Sequence, residues 1–395
     1  MLDGARSGGR FGRGALSVIV LLGSLVACRP RDARLQASDA LEARLDSLVP
    51  GLLARHGTAG VAIALVRDGR LAWSRGYGFA DKERGRRVDS LTRFNVGSIS
   101  KTVTAWAVMT LVEEGRIELD APIERYLRRW HLPASRFDRS GVTVRRVLSH
   151  TAGLGIYVVL NRPVEPPPAA GLPTLEKALS GVGSPHAGLE VVAEPGSQFQ
   201  YTNGGFALLQ LVVEEVSGER FADYVARRLL VPLEMRSTGY DWTADLDAHV
   251  ATPYDPEGHR LPQAFFVEQG SGGVFTTAAD LGRFAAASSV LPSRAGDGRV
   301  LRRTSIEEML SPAAATDGQY GLGYRTNPPV PGIRLVVHDG SNDGWFALMV
   351  VAPDRGDGLV VLTNRQGGGV IASPILCVWL EGLGVDTRPI CPDPD

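Results

Sequence analysis

A serine and a lysine stand three residues apart in residues 95–101 (NVGSISK), just before a long apolar run. At that spacing Ser98 and Lys101 share one face of a helix. A serine hydroxyl becomes a nucleophile when a base takes its proton, and a lysine whose pKa is lowered by burial is such a base. Ser98 at a helix N-terminus would also offer its backbone N–H to a developing oxyanion. The pair predicts nucleophilic serine chemistry; the alternative is a capping serine and a lysine in solvent.

Composition favours the chemical interpretation of this lysine. The chain has only three lysines, Lys82, Lys101 and Lys177, so arginine supplies nearly all of its positive charge. Arginine stays protonated at any accessible pH and cannot act as a base, whereas a lysine can. A lysine at position 101 is therefore what a general base requires, although Ser-x-x-Lys also occurs by chance and is suggestive only.

Two further groups of residues could complete such a site. Tyr201 precedes Thr202 and Asn203 in a glycine-rich stretch. A phenol beside an ammonium can ionise at accessible pH and carry a proton, and Asn203 could hold the lysine or a substrate amide. His338 ends a predicted strand and precedes residues 339–341 (DGS). Taken singly, these residues could equally be a core tyrosine, a turn asparagine and an idle surface histidine.

The three motifs together resemble those of a known superfamily. Ser-x-x-Lys, Tyr-x-Asn and His-x-Gly follow one another at intervals of roughly 100 and 140 residues. This order is similar to that of the serine β-lactamases and penicillin-binding proteins, in particular the class C β-lactamase, D-alanyl-D-alanine carboxypeptidase and esterase branch. The resemblance covers residues 41–383. The supporting stretches are residues 147–154 (VLSHTAGL), 195–196 (PG) and 271–281 (SGGVFTTAADL).

The resemblance implies a mechanism and a set of site residues. Ser98 is the nucleophile that becomes acylated, and Lys101 and Tyr201 share the proton transfers of ester or amide hydrolysis. Asn203 orients the substrate, and the backbone N–H groups of Ser98 and Ser341 form the oxyanion hole. No metal or cofactor is implied. The resemblance assigns the substrate-binding and oxyanion positions to Asn203, His338, Gly340 and Ser341.

The third motif departs from the β-lactamase pattern, which has Lys-Thr-Gly. His338 removes a fixed positive charge, as in the peptidase and esterase branches, and Asp339 replaces a hydroxyl residue that helps to bind a substrate carboxylate. Because like charges repel, we expect Asp339 to favour neutral or amine-bearing substrates, unless it points away and pairs with an arginine. Two alternatives stay open: a D-alanyl-D-alanine carboxypeptidase or β-lactamase with the same chemistry, and a non-catalytic binding or sensing domain.

The first 27 residues have the pattern of a bacterial lipoprotein signal peptide. Three arginines lie within the first 13 residues, and residues 15–26 form an apolar run too short to span a membrane as a mature helix. The run ends in Leu-Val-Ala-Cys, which resembles the lipobox, where the cysteine is acylated. We therefore expect an extracytoplasmic protein, in the periplasm or at the cell surface, anchored to a membrane by lipid on Cys28; plain secretion is the alternative.

The overall composition and net charge indicate which kinds of partner the protein can bind. The chain has 395 residues, 44% hydrophobic and 22% charged, as in ordinary globular proteins. Its net charge of −1 provides no basic field for nucleic acid. We expect a small-molecule or peptide acyl substrate and leave the oligomeric state open. Outside the cytoplasm Cys377 and Cys391 can form a disulfide, the alternative being a buried free Cys377.

The elements that must position these residues suggest an α+β (α/β) protein. Residues 28–37 are polar and predict a tether, after which Ser38 or Asp39 can cap a helix. Residues 60–66 and 71–77 predict a strand hairpin, and strands return over 335–338, 346–352 and 359–363. We expect a β-lactamase-like domain over residues 38–395, in which helices flank an antiparallel sheet. Its sheet part is expected at about 38–120 and 270–390, with an all-helical insertion at about 121–269 and a proline-rich loop at 161–173.

Overall fold

The structure is a computed structural model that describes residues 30–155, 162–163, 173–182, 188–292, 300–326, 330–388 and 390–391, with the backbone alone for 30–38 and 162–163. The predicted signal peptide, Cys28 and most of the proline-rich loop lie outside these residues. The chain forms two compact units, Met1–Ala40 and Leu41–Asp395, and the candidate site belongs to the second. Among the described helices, none combines the length and the apolar character needed to span a membrane.

Helices occupy both ends of the described part of the chain and most of its middle. The first is described from Pro30 onward. It runs past Ser38 and Asp39, so that predicted start is too late, and residues 30–37 of the predicted tether are helical. The helices are α1 (Pro30–His56), α2 (Ile99–Glu113), α3 (Val144–Leu148), α4 (Leu175–Leu179), α5 (Asn203–Ser217), α6 (Phe221–Val225), α7 (Ala244–His249), α8 (Gln269–Gly272), α9 (Ala278–Ala287), α10 (Arg303–Met309) and α11 (Gly369–Gly382).

A six-stranded antiparallel sheet lies between helices. The strands are β1 (Gly60–Arg67), β2 (Arg70–Asp81), β3 (Arg86–Arg87), β4 (Phe94–Asn95), β5 (Arg162–Pro163), β6 (Ala264–Phe265), β7 (Phe275–Thr276), β8 (Val336–Asn342), β9 (Trp345–Ala352) and β10 (Asp357–Thr363). The sheet has the order β3-β2-β1-β10-β9-β8, so β8 is an edge strand. The short strands form two separate pairs, β4 with β7 and β5 with β6.

Both faces of the sheet are covered. Because successive side chains of a strand point to opposite faces, Val61 and Ile63 of β1 pack with Leu45 of α1 and Trp379 of α11. Ala62 faces the other way, into the core that α2 and α9 help to build. Strand β1 is buried on both faces for this reason, which explains its unbroken apolar sequence. The predicted fold class, an antiparallel sheet flanked by helices with a helical region, is confirmed.

Some elements differ from their predicted bounds. Strand β8 does not end at His338 but continues to Asn342, because its hairpin with β9 pairs residues up to Asn342 and Trp345. Helix α11 begins at Gly369 and contains Pro374. The β5–β6 pair means that the middle region is not all helical. Near the C-terminus the structure joins Cys377 of α11 to Cys391 by a disulfide.

Candidate active site

The N-terminus of α2 brings a serine and a buried amine together. Ser98 precedes the helix and Lys101 lies in its first turn. The Lys101 Nζ lies 2.9 Å from Ser98 Oγ and donates a second hydrogen bond, 2.8 Å long, to the carbonyl of Ser271. The Lys101 side chain is fully buried, and burial, followed by the charge of Arg325, lowers its pKa to about 7. The amine can therefore lose its proton near neutral pH and act as a base.

Tyr201 lies against this amine, although it comes about 100 residues later in the chain. It ends the loop before α5, and Thr202 caps that helix by accepting a hydrogen bond from the N–H of Gly204. The Lys101 Nζ is 5.1 Å from the centre of the Tyr201 ring. Burial raises the pKa of Tyr201 to about 12, more than the Ser98 hydroxyl lowers it. The phenol is thus protonated at rest and placed to donate, contrary to the expectation of an accessible ionisation.

Two glycines allow the backbones around Ser98 and Ser341 to touch. A Cβ on Gly97, whose φ is +49°, would lie 2.7 Å from the backbone N of Ser341. A Cβ on Gly340 would lie 2.7 Å from the backbone N of Ser98 and would collide with the carbonyl of Val96. The N–H groups of Ser98 and Ser341 therefore belong to backbone segments in direct contact. Their shared role as an oxyanion hole stays a prediction.

A pair of asparagines holds these two segments together. The Asn342 side chain donates to Asn95 Oδ1 over 2.6 Å and to the carbonyl of Gly272 over 3.2 Å. The same Asn95 oxygen accepts the N–H of Gly97 over 3.0 Å. Asn95 is fully buried, so these bonds are shielded from water. Sequence reasoning missed both residues, although each lies within three residues of a predicted oxyanion donor.

His338, to which the resemblance assigns a substrate-binding place, has a defined environment in the structure, and that role stays a prediction. Its side chain is fully buried. The Nδ1 lies 2.7 Å from the carbonyl of Asp339, so it carries the proton, and Nε2 accepts the hydroxyl of Tyr320 over 2.9 Å. Burial lowers the pKa of His338 to about 4. The ring is therefore neutral, and both of its nitrogens are hydrogen-bonded within the core beside β8. Its partner Tyr320 was not predicted from the sequence.

Asp339 is paired with an arginine, as the alternative interpretation of this residue requires. The Arg325 Nε lies 3.1 Å from Asp339 Oδ1, and both side chains are about half exposed. Two backbone hydrogen bonds, each 2.9 Å long, fix Arg325 against Val337 of β8. The Arg325 guanidinium also lies 5.5 Å from the centre of the Tyr201 ring. Arg325 thus places a positive charge beside both Asp339 and Tyr201, and the sequence carries no motif for it.

Asn203 is the first residue of α5 and partly exposed. Within the described residues Lys101 Nζ bonds to Ser98 and Ser271 and not to Asn203, so the lysine-holding alternative is not what the structure has. The predicted contact with a substrate amide stays a prediction.

One group of possible metal ligands occurs among the described residues. Ligand atoms of Asp255, Glu257 and His259 lie within 4.8 Å of one another at a largely exposed turn. Asp255 already accepts the backbone N–H of His259 and contacts its ring over 2.9 Å. These bonds hold Asp255 and His259 together.

The sequence is similar to that of known proteins. A model of the beta-lactamase family matches residues 45–373. Protein flp of Staphylococcus aureus is 22% identical over 334 residues, which are 81% of this chain and 62% of that protein. The chain thus spans about three fifths of the length of the curated relatives it matches.

Solved structures share the fold. The octameric penicillin-binding protein homologue from Pyrococcus abyssi superposes with a TM-score of 0.71 at 27% identity, over 87% of this chain and 77% of that one. A class C beta-lactamase superposes with a TM-score of 0.69 at 20% identity, over 89% of this chain and 97% of the other. This second likeness concerns the fold alone.

Proposed function

The chain belongs to the beta-lactamase family, and we propose that it is a serine hydrolase that cleaves an ester or amide bond through an acyl-enzyme on Ser98. One observation carries the proposal: the buried Lys101 amine lies 2.9 Å from Ser98 Oγ and its pKa is lowered to about 7. A buried ammonium without a hydrogen-bonded carboxylate is costly, and Lys101 Nζ bonds to none in the described chain. The neutral amine is the favoured form once the pH exceeds about 7.

The proposed reaction begins with attack of Ser98 Oγ on the substrate carbonyl while Lys101 Nζ accepts the hydroxyl proton. The carbonyl oxygen takes the electron pair, and the N–H groups of Ser98 and Ser341 stabilise it, each by about 3 kcal/mol. Collapse breaks the bond to the leaving group, which receives the Tyr201 proton as Tyr201 regains one from the Lys101 ammonium. Water then attacks the acyl carbon with the same groups as proton carriers, and Ser98 Oγ leaves with its proton restored.

The substrate that we propose is neutral near the pair of Asp339 and Arg325. A substrate carboxylate would have to compete with Asp339 for Arg325, because Asp339 Oδ1 already lies 3.1 Å from Arg325 Nε. β-Lactams and D-alanyl-D-alanine peptides carry such a carboxylate and are the alternative substrates. Purified residues 29–395 would be tested on p-nitrophenyl esters, on nitrocefin and on D-amino-acid amides. Turnover of the neutral esters with little hydrolysis of nitrocefin is expected; the reverse order would favour the β-lactamase alternative.

A fluorophosphonate label tests the chemistry directly. Wild-type protein should be labelled, and Ser98→Ala should abolish the label. Lys101→Arg should lower kcat/KM by about 100-fold or more, because arginine stays protonated. Lys177→Arg, an exposed lysine in α4, is the matched control and should be unaffected. A chain that is folded but never labelled would instead be the non-catalytic binding domain, and near-native turnover of Lys101→Arg would exclude the lysine as base.

The pH dependence has a definite sign. Because the pKa of Lys101 is lowered, the amine is charged below about pH 7 and neutral above it. Only the neutral amine accepts the Ser98 proton, so kcat/KM should rise with pH through about 7. A profile that is flat between pH 6 and 8.5 would contradict this assignment.

We also propose that the protein acts outside the cytoplasm, held to a membrane by lipid on Cys28. The support is the sequence pattern of residues 1–28: three early arginines, an apolar run and Leu-Val-Ala-Cys.

A further inference from the structure

A strained, buried histidine lies beside Tyr201, and the proposed reaction gives it no part. His150 belongs to the turn after α3 and has a φ of +59°, in the left-handed region that residues with a side chain rarely adopt. Its side chain is only 2% exposed. Backbone strain persists where the surrounding structure holds it, and such strain concentrates at functional sites. The contacts of His150 show what holds it.

His150 contacts Tyr201 and both of its chain neighbours. The carbonyl of His150 accepts the N–H of Gln200 over 2.8 Å. Its Nδ1 accepts the N–H of Thr202 over 3.2 Å. Its ring lies on the ring of Tyr201, with centres 4.2 Å apart and planes tilted by 35°. His150 thus contacts the Tyr201 ring directly and hydrogen-bonds to the residues before and after it.

The ring has a defined protonation state and firm support. Since Nδ1 accepts a hydrogen bond, the proton of the neutral ring is on Nε2. Burial, followed by the charge of Lys101, holds the pKa of His150 well below its usual range, so Nδ1 keeps its lone pair for Thr202. Phe206 and Tyr320 pack against the ring at centre distances of 5.1 and 4.9 Å. The platform under Tyr201 is therefore itself fixed.

We propose that His150 is a positioning residue that holds the Tyr201 phenol at the distance and angle needed for proton transfer between Lys101, Ser98 and the leaving group. The inference rests on the proposed function, in which Tyr201 carries that proton. Proton transfer depends on hydrogen-bond reach, and a displacement of about 1 Å can cost about 100-fold in rate. With this left-handed backbone, the carbonyl of His150 faces Gln200 while its Nδ1 faces Thr202.

Two substitutions separate the contacts of His150. His150→Asn keeps an acceptor near Nδ1 and suits the left-handed backbone, but it removes the ring. His150→Phe keeps a ring and leaves the buried N–H of Thr202 without its acceptor. We expect each to lower kcat by about 10- to 100-fold with KM changed by less than about threefold. His131→Asn, at an exposed histidine that contacts Glu124, is the control and should leave kcat unchanged.

A double-mutant cycle distinguishes positioning from a general loss of structure. If His150 acts through Tyr201, His150→Asn should cost less than about threefold in kcat in a Tyr201→Phe background. The same 10- to 100-fold loss in both backgrounds, or no loss in the single variant, would overturn the inference and leave the proposed function standing. If Tyr201→Phe alone keeps wild-type kcat, the proton-carrying role of Tyr201 fails, and this inference fails with it.

Discussion

Removal of the Asp339 carboxylate should turn the site toward anionic substrates. In the structure Asp339 Oδ1 lies 3.1 Å from Arg325 Nε, and the guanidinium lies 5.5 Å from the Tyr201 ring centre. Asp339→Thr removes the carboxylate and keeps the two backbone hydrogen bonds that hold the main chain of Arg325 against Val337. A substrate carboxylate could then occupy the space beside Arg325 without a competitor.

The size of the effect follows from the geometry. Two opposite charges about 4 Å apart attract by about 4 kcal/mol at an effective dielectric of about 20. Arg325 is 43% exposed, so water screens much of this, and fully exposed pairs are worth about 1 kcal/mol or less. An intermediate value of about 1.5 kcal/mol corresponds to about tenfold in kcat/KM. The gain should shrink at high salt.

The assay compares a neutral p-nitrophenyl ester with its matched carboxylate-bearing analogue. The ratio of the two kcat/KM values cancels any change in the Lys101 base, because both substrates meet the same enzyme. Asp339→Thr should move this ratio toward the anionic ester by about tenfold. Asp354→Thr breaks a pair of similar exposure with Arg334, 3.5 Å apart, and should leave the ratio unchanged. An unchanged ratio in Asp339→Thr as well would show that the pair lies outside the substrate-binding region.

Three further outcomes are expected. Gly340→Ala should lower kcat by about 100-fold, because the added methyl would lie 2.7 Å from the backbone N of Ser98; a labelling rate equal to wild type would refute this. Cys28→Ser should leave the precursor uncleaved or release the protein from membranes, and unchanged mass and fractionation would contradict the lipid anchor. Cys377 and Cys391 should resist alkylation until reduction, whereas two alkyl groups added without reductant would mean free thiols.

Much of the fold was accessible from local pattern. The β1–β2 hairpin and α2 could be predicted because periodicity and turn residues act over a few neighbouring residues. The ends of strands that depend on pairing with another strand could not be predicted in this way. Strand β8 extends to Asn342 because β9 pairs with it, and no local feature of residues 339–342 indicates a strand.

The residues of the candidate site also differ in how far the sequence predicts them. Ser98 and Lys101 could be paired from the sequence because three residues on a helix bring two side chains to one face. Tyr201 could be added only through the order of motifs, since it lies about 100 residues further on. Its roles and those of Ser98, Lys101, Asn203 and Ser341 stay predictions until the variants are assayed.

Residue types and their spacing indicate which side chains could act and which elements carry them. Their chemical state depends on the folded chain: burial lowers the pKa of Lys101, His338 is enclosed with both ring nitrogens hydrogen-bonded, and Asp339 pairs with Arg325. Period, capping and turn chemistry act between neighbours in the chain, so the sequence exposes them. Desolvation and charge pairing sum over groups that are distant in the chain, and these are known only when folding has brought them together.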